Sequence, residues 1–310
     1  MSLAHHFNIP VGRYEFHKVK KELRECELIL DDILIEKDKR AYEKLRNQLR
    51  NLVASTFNDK RRDALNEAIE YLVNLDADTF TKKHIAKVES IIESHLGEDL
   101  AKVTEETSKE LTEKIVKLSI KEVGQMVDLK LVFDVKDKEA AGILNQQLIF
   151  SVGDYHTTTL QPEVNKTLTE YFTSNKTIDE VAKDFEKQFQ NITDKDESYF
   201  EGLAEHHANR TRELGHVNGY EQAGIEALEI VAVLDDRTSE ICEYMNGQII
   251  PIANAIELRD KILAAETPDE IKDAAPWLSV DDIKDSDLPV GMSLPPYHFR
   301  CRTTTKAYFK

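Results

Sequence analysis

Glycine and proline are distributed very unevenly along this chain, and their distribution limits what the first half can fold into. Only five of the 11 glycines precede residue 200, and six of the eight prolines follow residue 250. Because these two residues break helices most strongly, a long stretch that nearly lacks both favours helices over turns and strands. We therefore expect long helices over the first 130 residues.

Apolar residues recur at helical spacing through this first half. The pattern predicts separate helices over 16–35, 42–53, 65–72 and 85–96, followed by a longer helical stretch over 100–127. Gly97 is the expected stop of the fourth helix, because glycine readily adopts the left-handed conformation that ends helices. No heptad pattern is sustained over four repeats, so a packed helical array is favoured over a long coiled coil.

The second half opens with two further predicted helices. Thr177 and Glu180 have the spacing of a capping box, in which each side chain satisfies a free amide of the first turn. A second helix is predicted over 199–223, after a polar loop at 194–197 and before a stop at Gly224.

Strand signals follow these helices. Residues 227–234 form the most strand-like run, and a turn at Asn246-Gly247 precedes a second short strand over 248–252. Residues 129–135 fit either a short strand or an extended linker, so we place a domain boundary at 128–150. The prediction is a mainly helical α+β protein.

The predicted domains are an N-terminal helical region over 1–130 and a C-terminal α+β domain with a small β-sheet over 150–305. Short helices are expected around 253–264 and 269–274 in the proline-rich tail. The helical region carries no motif, and we interpret it as a surface for protein contacts.

Composition narrows the function classes. The formal net charge is −17, which opposes nucleic-acid binding by the chain as a whole, because that binding depends on neutralising phosphates. No stretch approaches the ~18 consecutive apolar residues that indicate a membrane span, and no secretory signal is recognisable. Three cysteines in 310 residues do not indicate a disulfide scaffold. We expect a protein of the cytoplasm without membrane contact.

Two of the three cysteines lie near the few residues that suggest chemistry. Cys242 follows a hydrophobic strand, and Cys301 shares an H-x-x-C with His298. Thiols and an imidazole at this spacing are soft ligands for zinc, but a Cys242–Cys301 disulfide and a metal-free clasp remain alternatives. A structural zinc would need a fourth ligand, for which the candidates are Asp236, Asp235, Glu240 or a water.

The residues around this group also have structural interpretations. Asp236 is a candidate cap for a helix that starts near Ser239. Arg237 and Arg302 are expected to brace the strand region through carboxylates or backbone carbonyls. His206 and His207 are adjacent on a helix and cannot both face one site, so we expect them to be surface or half-buried residues and not ligands.

Several short motifs occur in one order along the C-terminal half. They are Ala208-x-Arg210 with Asn218-Gly219, then Asp236-Arg237-Thr238-x-x-x-Cys242, then Gly247, and finally Pro295-Pro296-x-His298-x-x-Cys301-Arg302. In combination they resemble the phage head morphogenesis family, minor head proteins similar to the F protein of bacteriophage Mu. The resemblance covers about residues 150–305. Members often carry additional cysteines where this chain has Ser239 and Thr303.

The resemblance implies an assembly role and no catalysis. It implies a minor capsid protein, made in the host cytoplasm, that associates with the portal protein and enters the virion at the portal vertex or capsid interior. It also implies an effect on DNA packaging or ejection. Scaffold and major capsid protein are further candidate partners, and direct contact with DNA is left open. The site residues it implies are structural: Arg210, Asn218, Asp236, Arg237, Thr238, Gly247, Pro296 and Arg302.

Two other function classes remain as alternatives. A metal-dependent nuclease would use a metal-activated water with His298 as general base. Against it, the chain has no H-E-x-x-H, no paired H-N-H spacing and no basic lining for phosphate. A free helical adaptor would use the N-terminal helices as its binding surface. Co-purification with a portal ring, against cleavage of plasmid DNA with added metal, discriminates the classes.

Overall fold

The computed structural model describes residues 13–75, 81–173, 177–285 and 287–309. Within these residues the protein is mainly helical, with one small antiparallel sheet of three strands close to the C-terminal end. The predicted fold class, mainly helical α+β, is confirmed.

The longest element is α1 (Arg13–Val73). The other helices are α2 (Lys82–Ile92), α3 (Leu100–Met126), α4 (Val135–Tyr155), α5 (Gln161–Thr173), α6 (Ile178–Gln222), α7 (Glu240–Met245), α8 (Ile252–Ala264), α9 (Pro268–Ala274) and α10 (Val280–Ile283). The strands are β1 (Ala227–Val231), β2 (Ile249–Pro251) and β3 (Thr304–Tyr308).

Several predicted helix ends were wrong because the helices continue. The three helices predicted over 16–35, 42–53 and 65–72 are the single helix α1. Gly97 is not a stop, since it lies in a π-helical segment (Glu93–Asp99) that joins α2 to α3. The polar loop predicted at 194–197 is helical and lies within α6. In α1 and α6 the segments between the predicted helices contain several charged residues, and charged residues other than aspartate are good helix formers.

The chain divides into two compact units, Met1–Ala41 and Tyr42–Lys310. The described part of the first unit is helical. The second unit contains every other element, and the segment 128–150 lies inside it. Residues 129–134 are not a strand, and Leu131 and Phe133 pack against a hydrophobic core. No helix in the described residues is long and apolar enough to cross a membrane.

Helices α3 and α6 form the central contact of the second unit. A Cβ atom at Gly215 would lie 2.8 Å from the Cβ of Ser119, and one at Gly219 would lie 2.8 Å from the Cβ of Val123. Real Cβ atoms do not approach so closely, so the two helices can be this near only because α6 has glycine at both positions. Their contact supplies residues to two hydrophobic cores on either side.

The predicted start and stop of α6 are confirmed. The backbone amide of Glu180 donates to Thr177 Oγ1 at 3.3 Å, and the carboxylate of Glu180 accepts from the amide of Thr177 at 2.9 Å. The helix ends at Gln222, and Gly224 follows with a φ of 68°. Only glycine adopts that backbone conformation without steric cost.

The sheet follows α6 directly. Its strand order is β2-β1-β3, and Leu228 of β1 lies opposite Ile250 and Ala307. Leu228 and Ile230 are buried as the alternation predicts, but β1 ends at Val231, and Leu234 is exposed. The sequence analysis did not predict β3, although its residues alternate between partly exposed and buried at Thr304 and Thr305.

Candidate metal centre

The first ligand candidate, Cys242, lies in the short helix α7. Ser239 caps this helix, and its Oγ accepts from the backbone amide of Cys242 at 3.4 Å. Asp236 was predicted as the cap, and that prediction was wrong: the helix starts after Ser239, too far along the chain for Asp236 to reach its first amides. The cap holds Cys242 in the first turn, where its side chain is 4% exposed.

The other two candidates lie in a tight turn before β3. The amide of Cys301 donates to the carbonyl of His298 at 3.3 Å, and Arg300 between them has a φ of 58°. A positive φ is uncommon for a residue other than glycine. The side chain of Arg300 donates to the backbone oxygen of Ser198 in α6 at 2.6 Å, which holds the turn in place.

These elements bring the predicted group together. The Sγ atom of Cys242 is 3.2 Å from His298 Nε2 and 3.5 Å from Cys301 Sγ. Both thiols are free and buried, and the 3.5 Å separation means that no disulfide joins them. The three ligand atoms lie within 4.8 Å of one another. The group could therefore hold a metal ion.

The ring of His298 is oriented as a metal ligand requires. Its Nδ1 lies 2.8 Å from the carbonyl oxygen of Phe299. A carbonyl only accepts, so Nδ1 carries the proton, and in the neutral ring Nε2 then keeps its lone pair facing Cys242. A second hydrogen bond of this kind fixes the tautomer in many metal-binding histidines.

The two thiols differ in their pKa values. A hydrogen bond from Cys301 lowers the pKa of Cys242 to about 6, and the same interaction raises the pKa of Cys301 to about 12. The pair is therefore coupled, with one thiolate readily formed beside one thiol. A thiolate is the form that binds metal.

Among the described residues no carboxylate joins the group. The predicted fourth ligands Asp236, Asp235 and Glu240 are therefore not brought within reach of it. Three protein ligands leave one coordination position for a water or a small ligand.

The carboxylate that braces this region is Asp235. Arg302 donates to it through Nη1 at 2.7 Å and Nη2 at 2.6 Å, and the backbone amide of Arg237 donates to it at 2.9 Å. Thr238 Oγ1 accepts from the amide of Asp235 and donates to the carbonyl of Val233, each at 2.7 Å. Arg302 braces this region through its side chain as expected, whereas the Arg237 side chain is exposed and lies 3.7 Å from Asp235, so Arg237 contributes mainly through its amide. Asp236 is exposed beside it.

The remaining motif residues lie in different places. Gly247 has a φ of 80° and donates to the carbonyl of Ile230 at 2.8 Å, which turns the chain into β2. Pro296 is buried in the turn before His298, after a cis peptide bond. Asn218 donates to the buried Asp137 at 2.7 Å and accepts from Arg259 at 2.9 Å, so it joins α6 to α4 and α8.

The two histidines that precede Arg210 are more buried than the sequence analysis expected. His206 and His207 are only 6% and 5% exposed, and the prediction that they are surface or half-buried residues was wrong. Arg210 Nη2 donates to His206 Nε2 at 2.9 Å, and Thr211 Oγ1 lies 3.4 Å from His207 Nε2. The two rings bond one turn along the same helix and are not among the three candidate ligands, although the His206 ring interacts with the backbone of His298.

A buried polar network beside the centre was not predicted. Arg212 Nε and His216 Nε2 both donate to Glu122 Oε2, at 3.0 Å and 2.8 Å. Glu213 accepts from Thr305 Oγ1 at 2.7 Å. The network joins α3, α6 and β3. The only sequence signal for this network is that polar residues stand at helix positions where the apolar stripe predicts apolar ones.

Asn209 connects the metal centre to the rest of the unit. Its Oδ1 accepts from the hydroxyl of Tyr42, and its Nδ2 donates to the backbone oxygen of Cys301. Arg212 lies over the ring of Tyr42, 4.3 Å from its centroid. The turn that carries Cys301 is thus anchored to α1 and α6.

Comparison with known proteins adds no relative: no protein-family model matches this sequence, and no curated protein or solved structure matches it significantly.

Proposed function

We propose that this chain is a minor capsid protein that associates with the portal vertex of a phage head during assembly. The observation that carries the proposal is the meeting of the motif segments. Cys242, His298 and Cys301 converge at one place, and Asp235 and Arg302 brace the same loops. The resemblance to minor head proteins rests on these segments, so a shared fold should bring them together.

The structural character of the site supports assembly over catalysis. Both thiols are buried, and the groups around them are engaged in bracing contacts. The net charge of −17 favours docking on proteins over binding packaged DNA. In this proposal the portal protein is the main partner, and the N-terminal helices supply the contact.

Co-assembly with the portal protein of the same genome tests the proposal. We expect the full chain to co-sediment with the portal ring at a fixed ratio, and a variant without residues 1–41 to lose this binding. The compact unit Tyr42–Lys310 keeps the metal centre in that variant, so loss of binding would not reflect loss of the site. Failure of the full chain to co-sediment with the ring would contradict the portal role.

Zinc is the metal that the ligand set fits best. Two thiolates and an imidazole are typical zinc ligands. On a tetrahedral zinc, with bonds of about 2.3 Å to sulfur and 2.0 Å to nitrogen, ligand atoms lie about 3.5–3.8 Å apart. The observed separations of 3.2 Å and 3.5 Å need only a slight expansion. When bound, zinc would cross-link α7 to the turn before β3.

Metal analysis of the full chain tests the zinc proposal. Protein purified without chelator should contain about one equivalent of zinc, as expected for a structural site. Cys301→Ser should lose the zinc and lower the melting temperature, whereas Cys26→Ser, which changes the third cysteine, should do neither. Zinc at trace levels in the unaltered protein would exclude the zinc site.

A metal-dependent nuclease is the second candidate, because three protein ligands leave a coordination position for water. Incubation with plasmid DNA and added Zn²⁺, Mg²⁺ or Mn²⁺ separates the two functions. Cleavage that disappears in His298→Ala would support the nuclease, and intact plasmid under all conditions supports the assembly role.

A further inference from the structure

A cavity of about 680 Å³ lies beside the turn that carries His298, with Phe299 in its wall. Residues of α4, α6 and α9 line it, together with the loop around Trp277 and the ring of Phe299. A volume of this size is typical of sites for small molecules, which range over about 300–1,000 Å³. None of the residues that line it belongs to the candidate metal centre.

Aromatic rings form much of the cavity wall. The ring of Phe299 is stacked 5.8 Å from Tyr199 and 6.2 Å from His206, centroid to centroid. Trp277 is 5.4 Å from His206 in an edge-on arrangement. Trp277 is 53% exposed, although tryptophan is the largest apolar side chain. The walls therefore offer flat apolar surfaces to a flat apolar group.

Arg210 supplies a positive charge at this wall without a negative partner. Its one side-chain hydrogen bond within the described part of the chain is the bond from Nη2 to His206. Its Nε is shielded from solvent and has no hydrogen-bond partner there. Burial lowers the pKa of Arg210 to about 10, so the guanidinium remains protonated at neutral pH.

Other arginines of this acidic protein are paired with carboxylates. Arg212 binds Glu122, and Arg302 binds Asp235. Arg259 is close to two carboxylates. A guanidinium beside an apolar cavity is costly unless a hydrogen-bonded counter-charge compensates it. Arg210 has no carboxylate partner in the described part of the chain, and unlike Arg300, which also lacks one, it lines the cavity.

The neighbouring histidine holds the Arg210 side chain in place. An arginine only donates, so His206 Nε2 accepts from Arg210 and the neutral ring carries its proton on Nδ1. Nδ1 is shielded from solvent, and the ring also interacts with the backbone of His298. Arg210 Nε is therefore the donor beside the cavity that is shielded from solvent and has no acceptor in the described part of the chain.

We propose that the cavity is a binding site for a small organic carboxylate that carries a flat apolar group. The carboxylate binds the Arg210 guanidinium, and the apolar group packs between Trp277 and Phe299. Asp154 also lines the cavity and would repel a carboxylate at its end, so the ligand has one orientation. Lys272 on the wall already binds Asp269, at 3.0 Å.

Tryptophan fluorescence provides a direct test, because Trp277 is the only tryptophan in the chain. The probe is 3-phenylpropionate, with the uncharged 3-phenylpropionamide as its matched control. We expect a saturable change in emission with a dissociation constant of about 1 mM, as for a small ligand with one charged contact. The amide should bind at least about tenfold more weakly, because it lacks the charge-assisted hydrogen bonds.

Two variants assign the contact to its residue. Arg210→Gln keeps the side chain polar but removes the charge, and it should weaken binding of the acid at least about tenfold without changing that of the amide. Arg62→Gln removes an exposed arginine that is paired with Asp59 and should leave binding unchanged.

Equal binding of acid and amide to the unaltered protein would overturn the proposal, and so would the absence of any change in emission. The comparison of the two probes on the unaltered protein does not depend on the folding of any variant. Unchanged binding of the acid to a folded Arg210→Gln protein would overturn the assignment equally.

Discussion

Single residues decide the chemistry of the candidate centre through their local hydrogen bonds. The carbonyl of Phe299 fixes the tautomer of His298, and Ser239 holds Cys242 at the first turn of α7. Neither partner is a ligand. Replacing one of them would change the orientation of a ligand without removing it, which is how outer contacts tune metal sites.

The two adjacent aspartates after β1 should differ in their contributions to stability. Asp235→Asn removes the charge that Arg302 binds through two hydrogen bonds, so we expect a lower melting temperature. Asp236→Asn changes an exposed side chain and should leave the melting temperature unchanged. Thermal denaturation of both variants checks this. Equal melting temperatures for the two variants would mean that the Arg302 contact does not stabilise the fold.

The contrast between these aspartates also shows what the sequence could predict about the site. The convergence of Cys242 and Cys301 could be anticipated, because cysteines are rare in this chain and two of the three lie among the motifs of its C-terminal part. The sequence could not show which aspartate binds Arg302, because the two are adjacent in one turn and differ only in the direction that the backbone gives their side chains. The position of Arg210 at a cavity was equally hidden, because the cavity is also lined by residues nearly 70 positions away in the loop around Trp277.

At the scale of elements, the crossing of α3 and α6 depends on small side chains. Gly219→Ala would place a methyl group 2.8 Å from Val123 Cβ, and we expect a loss of about 1–3 kcal/mol in the free energy of unfolding from overpacking. Gly142→Ala in α4 is the matched control, because nothing lies within 4 Å of the added atom. That change should stabilise the helix by about 0.5–1 kcal/mol. Chemical denaturation of both variants measures the difference, and destabilisation by both or by neither would contradict the close crossing.

The buried network between α3, α6 and β3 should make stability depend on pH. Burial alone would lower the pKa of His216, but Glu213 and Glu122 outweigh it and raise that pKa above its ordinary value. The same contacts, with Arg212, hold the pKa of Glu122 at about 2 despite its burial. A histidine with a raised pKa binds its proton more tightly in the folded protein than in the unfolded chain.

The stabilisation by His216 is therefore complete below the unfolded pKa of about 6.5 and is lost as pH rises through the folded pKa. We expect the free energy of unfolding to fall above pH 6.5 by up to about 1.4 kcal/mol per pH unit. In His216→Gln this slope should be absent. Urea denaturation between pH 5.5 and 9 measures it, and identical slopes in the two proteins would show that His216 is uncharged in the fold.

At the scale of elements, the helix ends and strands that could be predicted from the sequence were those with a strong local signal. The capping box at Thr177 and the stop at Gly224 were predicted correctly, because each depends on neighbouring residues alone. Continuity of α1 and α6 was missed because a polar stretch resembles a loop when its tertiary packing is unknown. β3 was missed because a strand at a sheet edge needs only one partner, and its partner β1 is distant in sequence.

At the scale of the whole molecule, the residues of both hydrophobic cores whose side chains the structure describes all follow Ala41. Helices α3 and α6 contribute to the packing of both, so the second compact unit should unfold as one. We expect a protein of residues 42–310 to fold alone and to keep the melting temperature of the full chain in a single transition. Differential scanning calorimetry tests this, and two transitions or a large fall in melting temperature would contradict it.

The edge strand β3 has a consequence for how the protein is made. On the ribosome, α6 and β1 emerge before β3, His298 and Cys301 have been synthesised, a delay of roughly a few seconds at ordinary elongation rates. During that interval Glu213 lacks its threonine donors, Cys242 lacks both neighbours, and β1 has an open edge. The nascent chain is therefore exposed to mispairing until translation passes Tyr308, and a chaperone that shields this edge would raise the yield of folded protein.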